Sequence, residues 1–226
     1  MLDFKCTCPN CLNKGYIWYA QNDRVFWIEI PKNGSSSIKK SSSWSIKDNK
    51  PPHSLLKIPD KKIMQEERIN AFVMLRDPHS RFKSLIKFYF IEKGGRWQKG
   101  MKYAKSKERI QKEIDLGPDN FLNFLANSRN HLQIHHFNSQ TYFIENFMNR
   151  IKDAHKAKNK VINLNYVILS KKETFPHFWK EMGRIKSSSS VDESFYQQNI
   201  DFFQNFVEKF YRDDIELYEK VLRSEK

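Results

Sequence analysis

The chain has 226 residues, a length that fits one domain with a sizeable core. Hydrophobic residues make up 39% and aromatics 14%, with 18 Phe against only 7 Gly and 8 Pro, which argues against disorder or a loop-dominated fold. Forty Lys and Arg against 26 Asp and Glu leave a net charge of +14, a field that draws nucleic acid, acidic lipid or acidic glycan; the plain alternative is a solvated lysine-rich surface.

Residues 1–24 read as an irregular lead-in, with Cys6, Cys8 and Cys11 crowded near its start. A zinc or iron–sulfur site wants a fourth ligand and none follows at the usual spacing, so free thiols are the simpler expectation. Val25–Ile30 reads as the first core strand and runs into Pro31-Lys-Asn-Gly-Ser-Ser-Ser37. Gly34 lets a turn pass close to an oxyanion, and Ser35, Ser36 and Ser37 open a helix whose N–H groups and dipole favour an anion. Lys32 adds a mobile charge. The pattern GxxxxGK[ST] is absent, because the lysine precedes the glycine and no Lys-Ser/Thr pair follows it, which disfavours an ordinary ATPase loop.

That first helix is expected over 35–43. Prolines 51, 52 and 59 bar a regular helix from Trp44–Asp60, a stretch that also carries His53. A second buried strand, Ala71–Leu75, runs into Arg76-Asp-Pro-His-Ser-Arg81 and a helix to about Glu92 that carries Ser84. Pro78 suits its first turn, and Asp77 is expected to cap it rather than touch a ligand. Arg81 reads as either a surface charge or a phosphate contact. The two strand-ended cationic turns, in this order, fit one anionic nucleotide held at both ends.

Further along, Trp97–Leu116 is Lys-rich and at best amphipathic, Asp119–Asn127 is a helix, and Ser139–Lys152 is helical. A parallel strand is expected over Tyr166–Leu169, then a helix over Thr174–Met182 and a serine linker over 187–190. Residues 191–226 read as one long helix or a pair, with Phe202, Phe203, Phe206 and Phe210 on one core-facing stripe. Strand, turn and helix recurring in this way predict a single α/β domain over 1–226 with a mostly parallel sheet, whose ligand edge is at the carboxyl ends of the strands.

PKNGSSS resembles the 5′-phosphosulfate loop of sulfotransferases that use 3′-phosphoadenosine 5′-phosphosulfate, and LRDPHSRFKS resembles their 3′-phosphate element, R-D-P-x-x-R-x-x-S. His136-Phe-Asn-Ser-Gln140 is similar to the H-W-x-P-Q segment of the carbohydrate branch, the heparan and chondroitin types, with Phe and Ser in place of Trp and Pro. The resemblance implies a three-layer, P-loop-like fold and transfer of a sulfuryl group to a carbohydrate-type hydroxyl without a metal. It places Lys32, Asn33, Gly34, Ser35, Ser36 and Ser37 on the 5′-phosphosulfate and Arg76 and Ser84 on the 3′-phosphate. His136 and Gln140 fall to the acceptor.

Lys32 is the expected cation beside the leaving oxygen. Of seven histidines, His53 is the first choice for general base and His136 the second. Animal members of the family usually sit behind a Golgi membrane anchor; here no apolar run reaches membrane-spanning length and the N-terminus lacks an apolar signal core, so a cytoplasmic protein of bacterial or viral origin, or a trimmed piece of a longer chain, is expected. The rival readings are a P-loop-like nucleotide kinase and a non-catalytic polyanion binder without specific nucleic-acid recognition.

Overall fold

The computed structural model describes residues 17–20, 25–34, 68–91, 103–127, 134–155, 161–170 and 193–224. They form an α/β structure whose residues divide into two compact units, one built on a sheet and one helical.

The sheet unit holds four strands in the order β1 (Ile17–Ala20), β2 (Val25–Ile28), β3 (Arg68–Leu75) and β4 (Val161–Ile168). The last three are parallel: Ile28 pairs with Val73, and Leu75 pairs with Ile168. Ala71–Leu75 are all buried, as an apolar run at the centre of a parallel sheet must be. β4 begins five residues earlier than expected, because its polar alternation Asn163, Asn165 hides a strand whose first half is only partly covered. β1 pairs antiparallel with β2 and lies within the expected irregular lead-in; four residues are too short for periodicity to reveal.

Helix α4 (Gln140–His155) packs on this sheet: its Phe147 meets Phe26 at 5.9 Å between ring centroids, and Phe143 and Ile144 are buried beside it.

In the helical unit α1 (Pro78–Ile86) starts as expected, with Asp77 as cap: the Ser80 N–H donates to Asp77 Oδ1 at 2.7 Å. It continues as a π-helical turn, Lys87–Ile91. The Lys-rich stretch forms a full helix, α2 (Tyr103–Asp115), ended by Gly117 in the left-handed region (φ 96°) before α3 (Pro118–Asn127). A 3-10 turn occupies Ile134–Phe137.

The C-terminal segment is three helices rather than one or two: α5 (Ser194–Gln198), α6 (Ile200–Phe210) and α7 (Arg212–Ser224), the last turn of α7 belonging to the sheet unit. The breaks fall at Asn199 and Tyr211, where φ is −113° and −119°. Both side chains are tied down there: Asn199 exchanges hydrogen bonds with Gln111 at 2.9 and 3.0 Å, and Tyr211 Oη donates to the Phe137 carbonyl at 2.6 Å.

The unit's core is aromatic. Phe82 stacks on Phe206 at 5.1 Å and Phe203 on Tyr196 at 4.8 Å; such pairs add about 0.5–1.5 kcal/mol beyond burial. Phe203 and Phe206 are fully buried and Phe202 and Phe210 half-buried, so the expected stripe is core packing. The expected helices over 35–43 and Thr174–Met182, the Pro-rich stretch, the serine linker and the three cysteines lie outside the described residues.

Candidate active site

Because β2 and β3 run parallel, their carboxyl ends lie on the same edge of the sheet, and both cationic turns begin there. Past Ile28 the chain stays buried through Glu29, Ile30 and Pro31, then turns. The Asn33 N–H donates to the Ile30 carbonyl at 3.1 Å, closing a β-turn around Pro31 and Lys32. Proline fixes a negative φ at the first central position and Lys32 has φ 69°, so this is a type II turn. That second central position normally takes Gly or Asn; a lysine there costs on the order of 1 kcal/mol.

Gly34 follows with φ 81°, and a Cβ at that position would stand 3.1 Å from Leu169 Cδ1 and 3.3 Å from Met74 Sδ. Glycine suits this position for its backbone angle, and a side chain there would also crowd Met74 and Leu169. φ is positive at both Lys32 and Gly34, and the Asn33 N–H between them is taken up by the Ile30 carbonyl.

Arg76 stands immediately after β3, half-buried, and its Nη1 donates to the Lys32 carbonyl at 2.9 Å. Gln140, the first residue of α4, completes the cluster. Its Oε1 accepts from the Arg76 N–H at 3.0 Å and from Asn33 Nδ2 at 2.6 Å, and its Nε2 donates to the Arg76 carbonyl at 2.8 Å. Asn33 Nδ2 also donates to the Met74 carbonyl at 2.7 Å, while Asn33 Oδ1 is buried without a hydrogen-bond partner among the described residues.

The sheet unit thus brings together Lys32, Asn33, Gly34, Arg76 and Gln140. Gln140 was expected on the acceptor, yet its side chain is fully buried and its amide is occupied by the two turns. Asn33 is likewise only 2% exposed, and with its N–H on the Ile30 carbonyl it shapes the turn from within. The proline before Lys32 is the one signal in the sequence for its left-handed backbone.

Ser84 and His136 belong to the helical unit. Ser84 is half-buried on α1. Tyr89 Oη is hydrogen-bonded to His136 Nδ1. Arg81 is not a surface charge: it is 1% exposed, and its Nη2 donates to the His136 carbonyl at 2.8 Å. Burial pulls its guanidinium below the usual value, with Tyr211 and Asp214 opposing that fall. Arg81 and Tyr211 therefore hold successive carbonyls, those of His136 and Phe137. Ser35, Ser36, Ser37 and His53 lie outside the described residues.

His135, beside His136 in a T-shaped contact, is buried, and loss of water lowers it to about 4. It is neutral in the folded protein at neutral pH. As pH falls from 6.5 towards 4 the unfolded chain takes up a proton there that the folded chain refuses, so stability drops in that window, by on the order of 3 kcal/mol in all. Denaturant unfolding at the two ends of the window should show His135→Gln losing much less stability than the parent on acidification; equal losses would refute this account.

Among the described residues, no three His, Cys, Asp or Glu side chains come together as a metal site would need, and no helix is long and apolar enough to cross a membrane. Compared with known proteins, residues 16–220 match the model of the sulfotransferase family. No curated protein and no solved structure matches the chain.

Proposed function

The chain belongs to the sulfotransferase family, and from that premise we propose that its donor is 3′-phosphoadenosine 5′-phosphosulfate and its acceptor a carbohydrate-type hydroxyl. Membership makes it a transferase of sulfuryl groups to a hydroxyl-bearing acceptor. The observation that supports the donor most is the Arg76–Lys32 bond of 2.9 Å, which joins the cationic turns of two adjacent parallel strands into one cluster.

In this reading the Lys32–Gly34 turn, with Ser35, Ser36 and Ser37, takes the 5′-phosphosulfate, and Arg76 takes the 3′-phosphate. The acceptor oxygen attacks sulfur in line. A new S–O bond forms as the bond to the 5′-phosphate breaks, and the electron pair leaves on the phosphate oxygen beside the Lys32 ammonium. The acceptor proton passes to a general base, His53 in first place and His136 in second. The charge of +14 suits an acidic glycan as acceptor.

Titration calorimetry tests the donor directly. Adenosine 3′,5′-bisphosphate should bind with micromolar affinity and ATP with magnesium should give no heat. The reverse order would overturn the reading in favour of a kinase. Transfer of labelled sulfate across a panel of acidic and neutral glycans then tests the acceptor.

A further inference from the structure

Gln140 pairs with both polar groups of a single peptide residue. Its amide meets the Arg76 N–H and the Arg76 carbonyl, as a neighbouring strand would. β3 has already ended at Leu75, so this side chain extends the pairing by one residue, at the point where the donor-side turn begins.

The orientation of the amide is forced. A backbone N–H and a backbone carbonyl cannot exchange roles, so Oε1 must face the Arg76 N–H and Nε2 the carbonyl. The same Oε1 then demands a donor from Asn33, which sets that amide with Nδ2 inward, towards Gln140 and the Met74 carbonyl. The Asn33 side chain belongs to one cationic turn and Arg76 to the other. From the opposite direction the Arg76 guanidinium grips the Lys32 carbonyl. The two turns are therefore closed into a ring of hydrogen bonds through Gln140.

We infer that Gln140 is a positioning residue: it holds the two anion-binding turns at one fixed separation, so that both phosphates of one nucleotide engage at once. This rests on the reading that the turns hold a 3′-phosphorylated donor. Its physical content is effective concentration. Once one phosphate is bound, the adenosine presents the other to a site already in place, and that advantage vanishes if the second turn drifts.

The ratio of affinities separates positioning from mere support of the fold. Titration calorimetry would compare adenosine 3′,5′-bisphosphate with adenosine 5′-monophosphate and adenosine 3′-monophosphate, on the parent and on Gln140→Leu. The parent should prefer the bisphosphate over either monophosphate by about a hundredfold, and Gln140→Leu should cut that preference about tenfold while changing each monophosphate by less than about threefold. A purely supporting role would lower the folded fraction and weaken all three ligands equally, which overturns the inference. Should Gln140→Leu fail to fold, Asn33→Ala carries the same test, since it cuts the link to the other turn and leaves the Arg76 peptide paired. An undiminished preference in that variant overturns the inference and leaves the donor reading standing. A parent chain that binds none of the three ligands overturns both.

Discussion

Lys32→Ala should lower sulfate transfer by about a thousandfold, while the affinity for adenosine 3′,5′-bisphosphate falls only severalfold. The asymmetry follows from where charge develops. On the proposed function the ammonium matters most when the bridging oxygen departs, whereas Arg76 and the turn backbone would share in holding the ground-state nucleotide. The left-handed backbone of Lys32 (φ 69°) supplies a control. Lys32→Gly removes the same ammonium but relaxes the turn, so it should be as inactive as the alanine variant yet more stable by about 0.5–1 kcal/mol. Single-turnover rates and denaturant unfolding of both variants check the pair. An alanine variant with near-parental rates would remove Lys32 from the chemistry.

Arg76→Ala should weaken the bisphosphate by about a hundredfold, since a charge-assisted phosphate contact and a loop contact are lost together. On sequence alone, this change is expected to spare the nucleotide that lacks the 3′-phosphate. The bond from Arg76 Nη1 to the Lys32 carbonyl changes that expectation. Adenosine 5′-monophosphate should also lose several-fold, because the turn that receives its phosphate loses an anchor. The Arg76 backbone is held by Gln140 whatever its side chain, so the variant should fold normally. Calorimetry with the two nucleotides is the check, and a loss for neither nucleotide, or for the monophosphate alone, would contradict the assignment.

The parts of the fold that were legible in the sequence are those with strong local signals. β2 and β3 are apolar runs bounded by turn residues, and α1 carries Asp-Pro at its start, so their positions were readable to within a few residues. β4 and α2 were only partly legible. One alternates polar residues at a half-covered position, and the other is so rich in lysine that its periodic face is faint. The breaks at Asn199 and Tyr211 could not be read, because each depends on partners far away in the chain: Gln111 for one and Phe137 for the other.

The site divides in the same way. Residue types at a strand end announced the Lys32 and Arg76 turns. The identity of Gln140 was visible, but a long polar side chain next to a motif reads as a ligand contact until its burial is known. Arg81 misleads for the same reason. A charged residue within a cationic motif is expected to face solvent or phosphate, and here it sits under a carbonyl of the His136 turn.

The π-helical turn after α1 has one more consequence. Wider winding over Lys87–Ile91 sets Tyr89 and Phe90 inward as consecutive buried rings and brings the phenol of Tyr89 to the imidazole of His136. Ring identity along this stretch is thus less constrained than its length. Deleting Lys87 or Phe88 would move Tyr89 back one position along the coil, a rotation of roughly a quarter turn, and carry the phenol out of reach. Natural or engineered variation in this protein should therefore proceed by exchange rather than by insertion or loss in that one turn.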